Sequence, residues 1–269
     1  MPQIDEFRIG TFCWAELSTT DQQGAKAFYG KIFGWTAADF PVGPGQFYTM
    51  FQLEERVVGA ACTLSQDRTE HGVLPHWMLY VAVEDADATA EKAESLGARI
   101  LGKPFDVFDA GRMAIVQDPT GAIFSIWQAK TSIGIRLTGV AGTLCWADLA
   151  TPDQAAAEAF YRSLFGWEFP PGEIHTDYLH IVNRGEFIGG ILPVKAFDGA
   201  PPHWLLYFLV VQLEPALEQL KQGGGSVVVP ATAIEKTGRF AVVQDPQGAF
   251  FALFELQGTW QLALGSLRS

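Results

Sequence analysis

Positive charge is scarce in this chain. Its 269 residues include 18 Lys and Arg against 30 Asp and Glu, so the net charge is -12, and no stretch concentrates the basic residues. Nucleic acids and anionic membrane surfaces bind proteins through clustered Lys and Arg side chains that displace counterions. The composition therefore excludes nucleic acids and membrane surfaces as partners.

Cysteines and long apolar runs are also scarce. The three cysteines, Cys13, Cys62 and Cys145, are too few for a disulfide framework, which favours a reducing compartment. No apolar run approaches the roughly 20 residues that a membrane-spanning helix needs. The polar start MPQIDEFRIG is unlike a signal peptide. We therefore expect a cytoplasmic protein, and 48% hydrophobic residues are enough for a globular core.

What is present is a long internal repeat. The repeated pairs are GTFCWAEL (10–17) with GTLCWADL (142–149), FYGKIFGW (28–35) with FYRSLFGW (160–167), and GRMAIVQDPTGA (111–122) with GRFAVVQDPQGA (238–249). A period this long corresponds to a domain, so we predict two homologous domains at 8–130 and 140–257. The segment 131–139 is a linker that we expect to pack, and 258–269 is a tail.

Both halves contain the same order of helices and strands. In the first half, Gly10–Ser18 alternates as a strand does, and helical spacing of apolar residues follows up to Gly34. Two strand-like runs come next, and the pattern then begins again with a strand at His76–Val83 and a helix at Asp85–Leu96. The order predicts two βαβββ units in each half, hence an α+β fold with four such units.

The starts of the first helix in each half carry capping residues. Thr20 or Asp21 begins the helix in the first half. In the second half we expect Thr151 to be the cap and Pro152 to occupy the first helical position, where a missing N–H costs nothing.

Four such units, with FY...FGW at the end of the first helix and GR.A.VQDP.GA before the last strand of each half, resemble the vicinal oxygen chelate superfamily. This group includes glyoxalases, bleomycin-resistance proteins and extradiol dioxygenases. The resemblance covers nearly the whole chain and implies two tandem glyoxalase-like domains, each a mixed sheet curved into a cup for a small molecule. It also implies that a divalent metal could be held by His or Glu on the first and last strands of each unit.

Strand alternation assigns side chains to the two faces of each sheet. Cys13 and Cys145 fall on the face toward the helices, where they would behave as small buried hydrophobic residues. We call the opposite face the cup face and predict that it binds the ligand. Its predicted binding residues are Trp14, Met78, Tyr80, Ser125 and Trp127 in the first domain, and Trp146, Leu205, Tyr207 and Phe254 in the second. His76 and His203 are expected at a polar rim.

The positions that match the family's metal ligands do not carry ligands. The resemblance places Trp14, Met78 and Ser125 at these positions in the first domain, and Trp146, Leu205 and Ala252 in the second. A catalytic metal usually needs three protein ligands. We therefore predict no metal and no cofactor; the alternative is a divalent ion such as Zn, Ni, Fe or Mn.

Two carboxylates, Glu16 and Asp148, remain on the cup face and are the candidate catalytic residues. A carboxylate among aromatic side chains is desolvated, which raises its pKa toward the range of a general base. The alternative is a structural acid that hydrogen-bonds to a neighbouring strand or to a tyrosine. Aromatic walls with one acid suit a flat or cationic organic ligand.

Two functions follow from these residues. The first is a small-molecule-binding protein with aromatic, metal-free cups and an organic or aromatic ligand. The alternative is an enzyme of the same superfamily, either a metal-dependent glyoxalase-like lyase or a metal-independent isomerase or lyase with Glu16 or Asp148 as general base. A monomer is favoured over a homodimer, because a tandem copy can supply internally the pairing that two single-domain chains would make.

Overall fold

Two mixed β-sheets, one in each half of the chain, form the framework of the protein. The computed structural model describes residues 4–172, 177–194 and 200–257. Within these ranges the strands are β1 (Phe12–Thr19), β2 (Thr36–Gly43), β3 (Gln46–Leu53), β4 (Arg56–Thr63), β5 (His76–Ala82), β6 (Arg99–Val107), β7 (Gly111–Gln117), β8 (Ile123–Ala129), β9 (Leu144–Ala150), β10 (Leu179–Asn183), β11 (Glu186–Ile191), β12 (His203–Val210), β13 (Ser226–Ile234), β14 (Gly238–Gln244) and β15 (Phe250–Leu256). The helices within them are α1 (Gln22–Phe33), α2 (Gln66–Glu70), α3 (Ala86–Ser95), α4 (Gln154–Phe165) and α5 (Leu213–Gln222).

The order of strands shows how the units pair. The first sheet has eight strands in the order β2-β3-β4-β1-β5-β8-β7-β6, and the second has seven in the order β10-β11-β9-β12-β15-β14-β13. The first strands of the two units in each half, β1 with β5 and β9 with β12, run antiparallel at the centre of the sheet. Units therefore pair within each half, and the α+β fold with two tandem domains is confirmed. We retain 8–130 and 140–257 as the proposed domain limits.

The helix boundaries follow from their caps. Asp21 caps α1 by accepting a hydrogen bond from the Gly24 N–H at 2.9 Å, and Gly34 ends it in the left-handed conformation (φ 71°). The expected cap of α4 was wrong by two residues. Asp153 caps this helix through the Ala156 N–H, so Pro152 lies before the cap.

The third unit departs from the regular βαβββ pattern in the part of the chain that the structure describes. The strand equivalent to β2 is reduced to two isolated bridges, Glu168 with Val182 and Pro171 with Leu179. Pro170 and Pro171 have no backbone N–H to donate to the neighbouring strand, which limits regular pairing here. In the first domain β2 is complete but mostly exposed, so no apolar pattern in the sequence marks it.

The helix-covered faces of the two sheets pack against each other. Helix α1 lies beside α5, and α3 beside α4, so each helix pair joins the two domains. Phe33 of α1 contacts Phe208 and Phe251 of the second sheet, with ring centroids 5.4 and 6.3 Å apart. One continuous hydrophobic core therefore spans both halves, and in the first domain it extends to the cup-face residues Trp14, Met78 and Tyr80.

The repeated motifs hold the two domains together. The Tyr29 hydroxyl donates to Asp245 at 2.9 Å, and its counterpart Tyr161 donates to Asp118 at 2.8 Å. The FY motif of each half is thus bonded to the DP.G turn of the other. Such reciprocal contacts, in which the same two motifs meet twice with the halves exchanged, are those of a two-fold symmetric pair.

The segment between the domains is packed, as expected. Ile135 and Leu137 are fully buried, and the Ile135 N–H donates to the Cys13 carbonyl at 2.9 Å. Among the residues that the structure describes, no helix is long and apolar enough to cross a membrane.

Candidate functional site

Strands β1, β5 and β8 bring the predicted residues of the first cup onto one face. Trp14 lies opposite Tyr80, and Glu16 lies opposite Met78, in the antiparallel pair β1–β5. Ser125 pairs with Tyr80 across the parallel pair β5–β8. Cross-strand partners share a face of the sheet, so the structure brings together these five residues from distant parts of the chain.

Glu16 is the polar centre of the first cup. The Tyr48 hydroxyl donates to Glu16 Oε2 at 2.6 Å, and the Trp14 indole N–H donates to the Tyr48 oxygen at 3.1 Å. The other carboxylate oxygen, Oε1, accepts a weak bond from the Cys62 thiol at 3.8 Å. Burial raises the pKa of Cys62 to about 12, so the thiol stays protonated and can donate this weak bond.

Desolvation dominates the charge state of Glu16. Burial raises the pKa of this carboxyl above its usual range, while the bonds from Tyr48, Tyr80 and Cys62 and the positive charge of Arg68 act in the opposite direction and offset it only in part. Arg68 lies exposed on α2. A raised pKa weakens the case for a cationic ligand, because the acid carries its negative charge less readily.

Tyr80 and Ser125 complete the polar part of the first cup. Among the described residues, the Tyr80 hydroxyl makes a long contact of 4.0 Å to Met113 Sδ. Ser125 Oγ is buried and has no hydrogen-bond partner there, although its hydroxyl is close enough to lower the pKa of Tyr80. The Trp127 ring approaches Tyr80 edge-on with centroids 6.5 Å apart.

The second cup has the same plan with a shorter acid. Asp148 Oδ1 accepts from the Trp146 indole at 2.9 Å and from the Tyr178 hydroxyl at 2.7 Å, and Oδ2 accepts from the Tyr207 hydroxyl at 2.8 Å. Both oxygens are therefore engaged by short, direct bonds. Burial raises the pKa of Asp148 and outweighs the three donors, which lower it.

The remaining predicted residues of the second cup form an apolar cluster. Leu205, Tyr207, Ala252 and Phe254 are buried in a hydrophobic cluster separate from the shared core. Cys145 belongs to this cluster, so its predicted position on the helix face was wrong. The physical reason is a β-bulge between Tyr207 and Phe208 in the pairing of β12 with β9, where one extra residue of β9 breaks the alternation.

The two rim histidines occupy equivalent places. His76 and His203 are half-buried at the first positions of β5 and β12. The Nδ1 atom of each ring is hydrogen-bonded to a carbonyl two residues earlier, that of Leu74 at 2.7 Å and that of Pro201 at 2.8 Å. These bonds fix the rings at the strand starts, and burial lowers the pKa of His76.

The residues of the cups do not fit the divalent metal that the family implies. Across residues 4–172, 177–194 and 200–257, no group of three or more His, Cys, Asp or Glu residues is placed to hold a metal ion. Glu16 and Asp148 are already engaged by tyrosine hydroxyls. The donor set thus falls short of the three protein ligands that a catalytic metal site usually provides.

Two tyrosines that bind the acids were not predicted, because the alternation of side chains along β1 and β9 carries no information about neighbouring strands. Tyr48 and Tyr178 come from β3 and from the residue before β10, and they reach the acids across β4 and β11. The sequence signal that could have identified them is that the two tyrosines occupy equivalent positions in the repeat. A surface pocket of about 250 Å³ is lined in part by Trp127.

Similar proteins come from several bacteria. The chain is 38% identical over 258 residues, 95% of this chain and 98% of the relative, to the "Putative glyoxylase CFP32" of Mycobacterium tuberculosis. It is 30% identical over 277 residues, 97% and 99% of the two chains, to the anthracycline biosynthesis protein DnrV of Streptomyces peucetius.

Solved structures share the fold. The Mn(II)-bound glyoxalase from Novosphingobium aromaticivorans superposes with a TM-score of 0.64 at 16% identity, covering 93% of this chain and 83% of that one. An extradiol ring-cleaving dioxygenase from B. fuscum gives 0.66 at 14% identity, covering 97% and 74%. The model of the Glyoxalase/Bleomycin resistance protein/Dioxygenase superfamily matches residues 10–126 and 143–253. The chain therefore belongs to this superfamily.

Proposed function

We propose that the protein binds a flat organic molecule on the aromatic cup face of its sheets, without a metal. The observation that carries this proposal is the composition of the first cup. A single carboxylate, Glu16, lies on the same face as the directly paired Trp14 and Tyr80, and the remaining wall is formed by Met78, Met113 and Trp127. Aromatic walls with a few convergent polar groups are typical of sites for small organic ligands.

Two further points support this function. Methionine side chains repack readily around ligands of different shape, and two of them lie on this face. One relative is named for the biosynthesis of anthracyclines, which are flat polycyclic aromatic compounds.

We also propose a monomer, because the helix-covered faces of the two halves already cover each other. The three cysteines are free, which fits the cytoplasm.

The second candidate is a metal-independent enzyme that uses Glu16 as general base. The raised pKa of Glu16 and the weak bond at its Oε1 favour this role. Asp148 is less suited to it, since both of its oxygens already accept short hydrogen bonds. A metal-dependent glyoxalase-like lyase requires ligands that these cups do not bring together.

Replacing Trp14 with leucine tests the aromatic wall. We expect the dissociation constant for 2-methylnaphthalene to rise about two- to twelvefold, because aromatic pairing contributes roughly 0.5–1.5 kcal/mol beyond area burial. Equilibrium dialysis measures the affinity. The matched control is Phe40→Leu on the exposed strand β2, which should leave it unchanged; an equal loss in both variants would contradict the proposal.

Elemental analysis of protein purified without a chelator tests the metal-free state. We expect zinc, nickel, iron and manganese all well below one equivalent per chain, because the described part of the chain places no three ligands together on the cup faces. One equivalent of any of these metals would overturn the metal-free proposal and favour the lyase.

A further inference from the structure

The two cups differ in how completely their polar groups are hydrogen-bonded. In the second cup each oxygen of Asp148 accepts a short bond from a tyrosine, Tyr178 or Tyr207. In the first cup the equivalent Tyr80 hydroxyl is a neighbour of Glu16, but its contact of good geometry is the long one of 4.0 Å to Met113 Sδ. Glu16 Oε1 is left with the distant Cys62 thiol.

Three substitutions distinguish the two cups: Glu16 against Asp148, Ala60 against Gly190, and Ser125 against Ala252. Asp148 lies opposite Gly190, whereas Glu16 lies opposite Ala60. A Cβ at Gly190 would overlap the Tyr178 hydroxyl, so glycine is what allows this tyrosine to close onto the shorter acid. Ala252 occupies the position of Ser125, which removes a hydroxyl from the second cup.

Ser125 is the strongest sign of a missing partner. Its hydroxyl is fully buried and unpaired among the described residues, and it shares the cup face with Tyr80. A buried hydroxyl without a partner costs free energy, and native proteins rarely keep one unless a ligand or water satisfies it. Tyr80 interacts with both Glu16 and Ser125, so the three incompletely bonded groups are neighbours.

We infer that the first cup alone is the binding site, and that its ligand is an aromatic molecule carrying a hydroxyl group. The ligand hydroxyl donates to Glu16 Oε1 and accepts from Ser125 Oγ, while its ring lies against the indoles of Trp14 and Trp127. The second cup is a structural copy whose acid fastens three aromatic side chains in place. This inference rests on the proposed function and specifies the site and the ligand class.

A pair of isosteric probes, 2-naphthol and 2-methylnaphthalene, separates hydrogen bonding from stacking. With the wild-type chain, equilibrium dialysis should give one bound 2-naphthol per chain and an affinity about tenfold higher than for 2-methylnaphthalene, as expected when a ligand hydroxyl gains hydrogen bonds to two buried groups. Ser125→Ala should reduce that preference to about threefold or less and leave the affinity for 2-methylnaphthalene unchanged. Its Tm should not fall, because it removes an unsatisfied hydroxyl.

Ala252→Ser is the matched control, since it places the same hydroxyl in the second cup. The Ala252→Ser variant should still bind one 2-naphthol per chain. Two bound molecules per wild-type chain, or an unchanged preference for 2-naphthol in Ser125→Ala, would overturn the inference while leaving the aromatic site intact. Equal binding of the two probes would show that water satisfies Ser125 and would also overturn it. Failure to bind either probe would contradict the proposed function itself.

Discussion

Replacing Asp148 with alanine is expected to lower the free energy of unfolding by about 3–5 kcal/mol, because it removes the shared acceptor of a buried hydrogen-bond network. The variant leaves the Tyr178 and Tyr207 hydroxyls without their acceptor, while the Trp146 indole keeps only its bond to the Tyr178 oxygen at 3.0 Å. Each buried donor that loses its partner costs roughly 1–3 kcal/mol, partly relieved by repacking. Urea denaturation followed by circular dichroism measures the loss; a change below about 1 kcal/mol would contradict the structural role of this acid.

Asp148→Asn is the control that removes the titratable carboxyl and keeps the size of the side chain. Comparing it with the wild type tests how the contribution of Asp148 to stability depends on pH. The pKa of Asp148 is raised in the folded protein, so its contribution to stability is complete below the unfolded pKa of about 3.9 and is lost as pH rises through the folded pKa. Asparagine does not titrate. We expect the free energy of unfolding of the wild type, relative to Asp148→Asn, to fall as the pH rises above about 4. A relative gain over that range would show that the pKa is lowered instead.

Replacing Trp167 with alanine should lower the free energy of unfolding by about 3–5 kcal/mol, as for other fully buried aromatic residues. Its ring has no exposed surface and stacks on Tyr161 with centroids 5.3 Å apart. It also meets Phe12 of the first domain edge-on at 5.7 Å, and its indole donates to the Gly10 carbonyl at 2.8 Å. The substitution therefore opens a cavity between the two domains.

The same denaturation experiment checks whether the domains depend on each other. Trp35, the counterpart in the first half, donates to the Gly142 carbonyl at 2.8 Å, and its alanine variant should lose a similar free energy. Because the core is shared, each variant should still unfold in one transition. The exposed Phe40 provides the control. Two separate transitions in the wild type would contradict a common core.

The sequence predicted the features that local patterns encode. Alternation along β1 and β5 correctly placed Trp14, Glu16 and Tyr80 on one face, since adjacent side chains in a strand point to opposite sides. Helix α1 was also found from its spacing and its cap. Alternation failed at Cys145, because a bulge depends on pairing with β12 and not on the letters of β9.

The tertiary structure decided which side chains complete the site. Tyr48 and Tyr178 bind acids 32 and 30 residues away, and Tyr29 binds an aspartate 216 residues away. Contacts over such separations depend on sheet order, strand register and domain packing. The sequence by itself determined the two-domain repeat, the βαβββ plan and an aromatic cup face with one carboxylate in each half. Only the tertiary structure showed that Glu16 and Asp148 differ in their hydrogen bonding, because the number of hydrogen bonds that each accepts depends on which strands meet around it.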